Sequence, residues 1–420
     1  MRHLYVLLAR LVAPFAFALV LWRGLGDRAY WARLGERFGF GAVRLAESSL
    51  WVHAVSVGEV QASAALVRAL RARYPHIALV FSTMTPTGAA RAQSLFGDTV
   101  HHSYAPYDLP GSVRRFLDRV RPRLAIILET ELWPTLYHEC GRRGIPLVLA
   151  SARVSPRSVA RYRLLAGLLR EALSTDVVIA AQSEADAARF RSLGANPART
   201  HVTGNIKFDF ELPPGLTADG ARLRAQYGGA RPVWIAGSTH AGEEDIVLDA
   251  HAHLTAAGVD ALLLLVPRHP QRFEDVAANL KRRGLNFVRR SRAQSAGPAT
   301  PVVLVDTLGE LMTFYAAADV AFVGGSLVPI GGHNLLEPAA LGLPILSGPH
   351  TENAEGIARL LIEVSAVRTV HNAQQLTAGV AELLRDPTAR LTAGQQGRAT
   401  IEANRGALER LLALLAPLLG

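Results

Sequence analysis

The sequence predicts an α/β protein built from two doubly wound, parallel-sheet domains that face each other across a cleft. Three observations carry this reading. Short apolar runs recur along the chain and are continuous rather than alternating, as strands buried on both faces are. Helical patterns separate these runs, so the repeating unit is strand, helix, strand, and the sheets are parallel. The series breaks once, at Phe208–Tyr227, where Pro213-Pro214-Gly215 and the following Gly228-Gly229 read as a linker. A length of 420 residues also exceeds what one core usually supports.

Residues 1–22 depart from the soluble pattern. Leu4–Trp22 is apolar apart from Arg10, with Pro14 inside it. Its uninterrupted part, Leu11–Trp22, is shorter than the roughly 20 residues a spanning helix needs. Arg23, Arg28, Arg33 and Arg37 follow directly. A retained membrane anchor or interfacial helix therefore fits better than a signal peptide, with the globular part on the cytoplasmic side. Residues 23–207 form the first domain, with strands expected at Trp51–Val55, Ala78–Ser82, Leu124–Leu128, Pro146–Ala150, Val177–Ala180 and His201–Thr203. Residues 208–231 are the linker region. Residues 232–420 form the second domain, with strands expected at Val233–Ala236, Ala261–Val266, Pro301–Val305, Val320–Val323 and Pro344–Leu346.

Composition narrows the function classes. Half of the residues are hydrophobic and only 19% are charged, which argues against disorder. The formal charge is +10, yet the basic residues are almost all scattered arginines; lysine occurs only at 207 and 281. Without a basic run or an aromatic-interleaved stripe, the charge points to anionic lipid or an acidic substrate rather than nucleic acid. Cys140 stands alone, so neither a disulfide framework nor a cysteine metal site is expected, and the body of the protein belongs in a reducing compartment.

In doubly wound sheets ligands bind beyond the carboxyl ends of the strands. After Trp51–Val55 come Ser56-Val57-Gly58-Glu59: Gly58 permits a sharp turn, and Glu59 falls in the first helical turn, where the dipole favours the ionised carboxylate that a general base requires. Acidic residues in first helical turns are common, however, and mostly just stabilise the helix, so position alone favours that reading of Glu59. Thr83-Met84-Thr85-Pro86-Thr87-Gly88 and Glu129-Thr130-Glu131-Leu132-Trp133-Pro134 bring further carboxylates and hydroxyls to the same wall, a patch suited to hydroxyl-rich substrates. In the second domain Pro267-Arg268 ends a strand, with Arg268 placed either to grip an anion or as a solvated turn residue. Gly324-Gly325-Ser326 and Gly331-Gly332-His333-Asn334 follow the Val320–Val323 strand. Asn334 and Glu337 have capping-box spacing, and the loop offers N–H groups, a helix N-terminus and a carboxylate, a set that suits a nucleotide or simply caps a helix. His240 and His333 read as polar residues satisfied locally. No cluster has metal-ligand spacing, and P-loop and G-x-G-x-x-G signatures are absent.

Taken together, these segments resemble the bacterial Kdo transferases, which move 3-deoxy-manno-octulosonate from its CMP donor onto lipid A precursor. The resemblance runs nearly end to end: Gly35-Glu36-Arg37-Phe38-Gly39, His53-Ala54-Val55-Ser56-Val57-Gly58-Glu59, the Thr83–Gly88 segment, Tyr107-Asp108-Leu109-Pro110, the Glu129–Pro134 segment, Thr203-Gly204-Asn205-Ile206-Lys207-Phe208, Val266-Pro267-Arg268-His269, Gly324-Gly325-Ser326, and Gly332-His333-Asn334-Leu335-Leu336-Glu337. It implies a GT-B glycosyltransferase of the inner membrane, with two Rossmann-like domains, acceptor on the first and CMP on the second. It implies Glu59 as the base of an inverting transfer from CMP-Kdo to lipid IVA. Ser56, Gly58, Thr85, Glu129 and Glu131 would serve or support the acceptor. CMP would lie against Pro267, Arg268, Leu308, Gly309, Glu310, Asn334, Leu335, Leu336 and Glu337, with no metal or other cofactor. A UDP-sugar transferase or epimerase of the same architecture, or a non-catalytic two-lobed sugar-binding protein, are the alternatives.

Overall fold

Both sheets are parallel throughout, and in both the strand order reverses near the middle. In the computed structural model, which describes residues 2–41, 43–162, 166–173, 177–297 and 299–419, the first sheet contains β1 (Ser49–His53), β2 (Ala78–Thr83), β3 (His101–Tyr104), β4 (Pro122–Leu128), β5 (Leu147–Ala152), β6 (Val177–Ala181) and β7 (Thr200–Val202). Its order is β3-β2-β1-β4-β5-β6-β7. The second contains β8 (Val233–Thr239), β9 (Leu262–Pro267), β10 (Phe287–Arg289), β11 (Val302–Leu304), β12 (Val320–Val323), β13 (Ile345–Ser347) and β14 (Val367–Thr369). Its order is β10-β11-β9-β8-β12-β13-β14. The reversals lie between β1 and β4 and between β8 and β12. Strand ends at those two places are where a doubly wound sheet leaves a crevice.

Each sheet feeds two cores because successive side chains point to opposite faces. Trp51, Ala125, Ile127 and Leu149 enter one core of the first unit, while Leu50, Val52, Ile126 and Val148 enter the other. In the second unit Trp234, Ala236 and Leu263 lie opposite Val233, Ile235 and Leu262 in the same way. Continuous apolar runs are the direct consequence of this two-sided burial.

The expected eleven strands all occur, within a few residues of their expected bounds. Three more, β3, β10 and β14, were not expected, and all three are edge strands. An edge strand is partly open to solvent, so it lacks the continuous apolar run: His101 is exposed, every residue of Phe287–Arg289 is half-buried, and Arg368 is exposed.

Domain limits differ from those expected. The first unit is Met1–Phe210 together with Asn404–Gly420, and the second is Glu211–Ala403. The helix Ala407–Leu419 buries Ala407, Leu411, Leu412, Leu415 and Leu419 in the first unit's core beside Leu50 and Leu124. Asp209 holds its start by accepting the backbone N–H groups of Gly406 and Leu408. Most of the expected linker is also structured. Ile206–Asp209 is a 3-10 turn, and Leu216–Gln226 is a helix that buries Leu216, Gly220 and Leu223 in the second unit. Its Pro-Pro-Gly start is the part with linker character.

The N-terminal helix runs Arg2–Gly26 and continues through Pro14, so the apolar segment is longer than its uninterrupted run suggested. Tyr5, Val6, Ala9, Ala13, Ala16, Phe17, Val20 and Gly24 are at least half-buried, a stripe at helical spacing. The Tyr5 hydroxyl donates to Asp108 Oδ2 at 2.7 Å, and Phe17 packs edge-on against Phe38, which in turn packs against Tyr107. Leu4, Leu8, Leu11, Phe15 and Trp22 point away and are exposed.

Candidate active site

Beyond β1 the backbone stays extended through Ser56 (φ −104°, ψ 162°) and enters the helix Val57–Ala62. Ser56 and Glu59 cap it reciprocally. Glu59 N–H donates to Ser56 Oγ, while Glu59 Oε1 accepts the Ser56 hydroxyl and Oε2 accepts the Val55 N–H, both at 2.8 Å. Gly58 does not make the turn, contrary to expectation, because the extended Ser56 makes it. Gly58 sits in the first helical turn at negative φ, and a Cβ there would meet only Ser56 Oγ, at 3.8 Å.

The dipole argument for an ionised Glu59 does not hold. Burial, then the neighbouring Glu129, then Glu131, outweigh the two hydrogen bonds and push its carboxyl from 4.5 up to about 7. The outcome suits a base better than the expectation did, since a group that titrates near neutrality exchanges protons most effectively there.

Glu129 follows β4, at the order reversal, in a left-handed backbone conformation (φ 58°) that non-glycine residues seldom adopt. Lys207 Nζ lies 2.6 Å from its Oε1 and Arg153 Nε 3.2 Å from its Oε2. Burial would raise the carboxyl, but these two cations more than compensate and hold it below the ordinary range. Glu131 accepts the Trp133 indole N–H at 2.7 Å; burial and Glu129 nonetheless raise it. Unequal environments thus separate three carboxyls into one held ionised and two raised, the pattern that assigns distinct acid–base roles.

Lys207 and Arg153 were not among the expected site residues. Lys207 is one of two lysines in the chain, which was the available signal. A polar chain positions it: Asn205 Oδ1 accepts the Lys207 N–H, Asn205 Nδ2 donates to Gln182, and Ser151, also at positive φ, accepts the Ile206 N–H. Thr85 has a capping role, accepting the Gly88 N–H at the start of the helix Pro86–Phe96.

In the second unit the glycine loop after β12 is not open to a phosphate as expected. Glu243, fully buried, accepts the N–H groups of Gly325, Ser326 and Leu327 at 2.7–2.9 Å, and that of His240 at 3.0 Å. The donors of Gly325, Ser326 and Leu327 are satisfied from inside, and Gly324 serves close packing: a Cβ on it would lie 2.7 Å from the Ser238 carbonyl oxygen. Arg268, exposed at the end of β9 after the buried Pro267, makes no ion pair among the described residues. Asn334 Oδ1 accepts the Leu336 N–H and its Nδ2 donates to Glu337 Oε1 at 3.0 Å, so cap and carboxylate join side chain to side chain. Leu335 and Leu336 are buried beneath them.

The Leu308–Glu310 segment divides. Leu308 is exposed and Gly309 has φ 84°, while the Glu310 carboxylate is engaged by Arg290 and Thr307. That engagement argues against a ligand contact through the Glu310 side chain. No group of three or more potential metal-ligating side chains is gathered among the described residues.

Residues 32–210 match the model of the 3-deoxy-D-manno-octulosonic-acid transferase (kdotransferase) family. The chain is 43% identical to a 3-deoxy-D-manno-octulosonic acid transferase of Haemophilus influenzae, over 100% of this chain and 99% of that one. It is 39% identical to the Bordetella pertussis enzyme of the same name, over 100% of both. Among solved structures, an Anabaena protein, Alr3699/HepE in complex with UDP, superposes with a TM-score of 0.57 at 15% identity, covering 89% of this chain and 99% of that one. A Rickettsia africae glycosyltransferase does so with a TM-score of 0.57 at 11% identity, again over 89% and 99%. These two likenesses show a GT-B-like fold.

Glu243→Gln tests the internal support of the glycine loop. Gln keeps the size but offers one acceptor oxygen to four N–H donors. Each N–H left without an acceptor costs on the order of 1–3 kcal/mol, so urea unfolding should show a clear loss of stability. An unchanged midpoint would mean that the loop does not depend on this carboxylate.

Proposed function

The chain belongs to the 3-deoxy-D-manno-octulosonic acid (Kdo) transferase family, a glycosyltransferase acting in lipopolysaccharide synthesis, and we propose how its residues carry out the transfer. The donor is CMP-Kdo and the acceptor is the lipid A precursor lipid IVA. Glu59 removes the proton from a glucosamine hydroxyl, and that oxygen attacks the anomeric carbon of Kdo. The bond to the phosphate oxygen breaks, its electron pair leaves with CMP, and configuration inverts. The observation that carries this reading is the Glu59 carboxylate, fixed by Ser56 and the Val55 N–H beyond β1, with Glu129, paired to Lys207 and Arg153, and Glu131 beyond the neighbouring β4. Glu129, paired with Lys207 and Arg153, keeps its charge and raises the proton affinity of Glu59. In the second unit Arg268 offsets the charge growing on the phosphate. Glu337, oriented by Asn334, meets the ribose hydroxyls, and Pro267, Leu308, Gly309, Leu335 and Leu336 shape the nucleotide's surroundings.

We further propose that the protein is held at the cytoplasmic face of the inner membrane by a helix lying in the membrane plane. The half-buried stripe of Arg2–Gly26 begins at Tyr5 and reaches Gly24, so the helix rests along the first unit rather than projecting from it. Its outward leucines, Phe15 and Trp22 then enter the lipid, and Arg10, Arg23 and Arg28 meet anionic headgroups. An amphiphilic acceptor would be met at the same surface.

Glu59→Gln should lower turnover roughly 10²–10⁴-fold while CMP binding persists. In the wild type a raised carboxyl is protonated below its titration point, so the rate should climb with pH through about 7 as Glu59 ionises. Mass spectrometry of the lipid product after incubation with CMP-Kdo and lipid IVA supplies the assay. Near-normal turnover of the variant would remove Glu59 from the mechanism.

Arg268→Ala and Glu337→Ala should each weaken CMP binding by about 1.5–3 kcal/mol, as loss of a charge-assisted contact does. Calorimetry should also rank CMP above UMP and UDP; a uridine preference would favour the UDP-sugar reading.

Leu11→Asp with Phe15→Asp should reduce sedimentation with anionic vesicles without lowering the melting temperature, because both side chains point outward. A tag placed before Arg2 should be digested from the same side of sealed vesicles as the catalytic units. Protection of that tag would establish a span instead.

A further inference from the structure

Three imidazoles gather near Arg268 at the β8/β9/β12 end of the second sheet. His240 follows β8 and His333 lies in the loop after β12; their Nε2 atoms are 2.7 Å apart and their rings are inclined by 10°. Two nitrogens approach this closely only with a proton between them, so one ring donates and the other accepts. Gly325 makes room for the arrangement: a Cβ there would lie 2.8 Å from the His333 ring, at a φ of 68°. The His269 ring packs edge-on to His240 at 5.1 Å.

Charged and titratable groups face the pair from several elements. Arg268, Arg272 and His269 face His240 from the β9 side, and Glu243 faces it from the following helix. His240, Arg268 and His269 face His333. Burial comes first, and the surrounding cations and imidazoles add to it, so both rings fall below the ordinary 6.5, His333 to about 4. Near neutrality the pair is uncharged. It has room for one more proton: Nδ1 of the donating ring can take it and leave the Nε2–H···Nε2 bond intact. A second proton would set two N–H groups against each other. An anion resting on Arg268 would reverse the local field and favour that single proton.

We propose that His240 and His333 form a proton-linked holder for the nucleotide's phosphate, taking up one proton when the nucleoside monophosphate binds and releasing it when the nucleotide leaves. This rests on the assignment of CMP to the second unit. It gives the pair a part in the transfer. When the glycosyl–phosphate bond breaks, the phosphate gains one negative charge, and a singly protonated pair beside it offsets that charge.

The test is calorimetric titration of CMP into the full chain in detergent, between pH 7 and 8.5, in two buffers of different ionisation enthalpy. The phosphate remains a dianion there, since its second pKa is near 6. Binding heats should differ between buffers, and affinity should weaken with rising pH, approaching tenfold per unit as one proton is linked. His240→Asn and His333→Asn should each still bind CMP, more weakly, with the pH slope flattened and melting curves confirming folded protein. Equal heats in both buffers with a flat wild-type profile would overturn the proposal. So would a slope that survives in both variants. Absence of any CMP binding to the wild type is a different result: it would remove the nucleotide assignment itself, and the histidine proposal with it.

Discussion

The charge on Glu129 sets the character of the first unit's site. A carboxylate this buried would ordinarily take up a proton; Lys207 and Arg153 prevent that. Burial raises Glu59 and Glu131, and the retained charge of Glu129 adds to it, so Glu59 is pushed up to about 7 and Glu131 is raised as well. Three chemically similar side chains acquire different proton affinities because one is doubly paired. The strained backbone at residue 129 and the Ser151–Asn205–Lys207 chain both serve this arrangement. Without the two cations the cluster would share protons differently.

The second unit solves a related problem with a buried carboxylate used for structure. Glu243 gathers four backbone N–H groups and fixes the loop in which His333 and Asn334 stand. The first unit keeps one carboxylate ionised, which raises the proton affinity of its neighbours, and the second uses one to organise a loop. In both cases low solvent exposure gives a single charge its reach.

Much of the fold was legible because two-sided burial leaves continuous apolar runs, and all eleven strands recognised this way occur. What escaped notice lacks that signature. Strands β3, β10 and β14 are half-open edges, and the helix Ala407–Leu419 carries no sign of which core it enters. At the site, Glu59, Glu129 and Glu131 were legible as residues following strands. The electrostatics were not: neither the cations on Glu129 nor the raised carboxyl of Glu59 follows from local spacing, since Lys207 and Arg153 come from distant parts of the chain. For the glycine loop, the pattern was consistent with either a ligand or an internal partner, and only the packed structure reveals Glu243. The segment Gly35–Gly39 likewise has an architectural use: Phe38 joins the N-terminal helix to Tyr107, and Glu36 accepts the Tyr104 N–H.

The return of residues 404–420 to the first unit has a consequence for biosynthesis. As the ribosome proceeds, residues 1–210 emerge early but lack the helix that completes one face of their core, whereas Glu211–Ala403 is contiguous and can close as soon as it is translated. The later-made unit can thus reach its native state before the earlier one. In the interval Leu50 and its neighbours lack the cover of Leu411 and Leu415, and the nascent chain carries both this incomplete core and the apolar helix at its start. Cutting the polypeptide at its apparent midpoint would preserve that incompleteness permanently. A separately expressed first unit needs its closing helix supplied, by fusion or as a peptide.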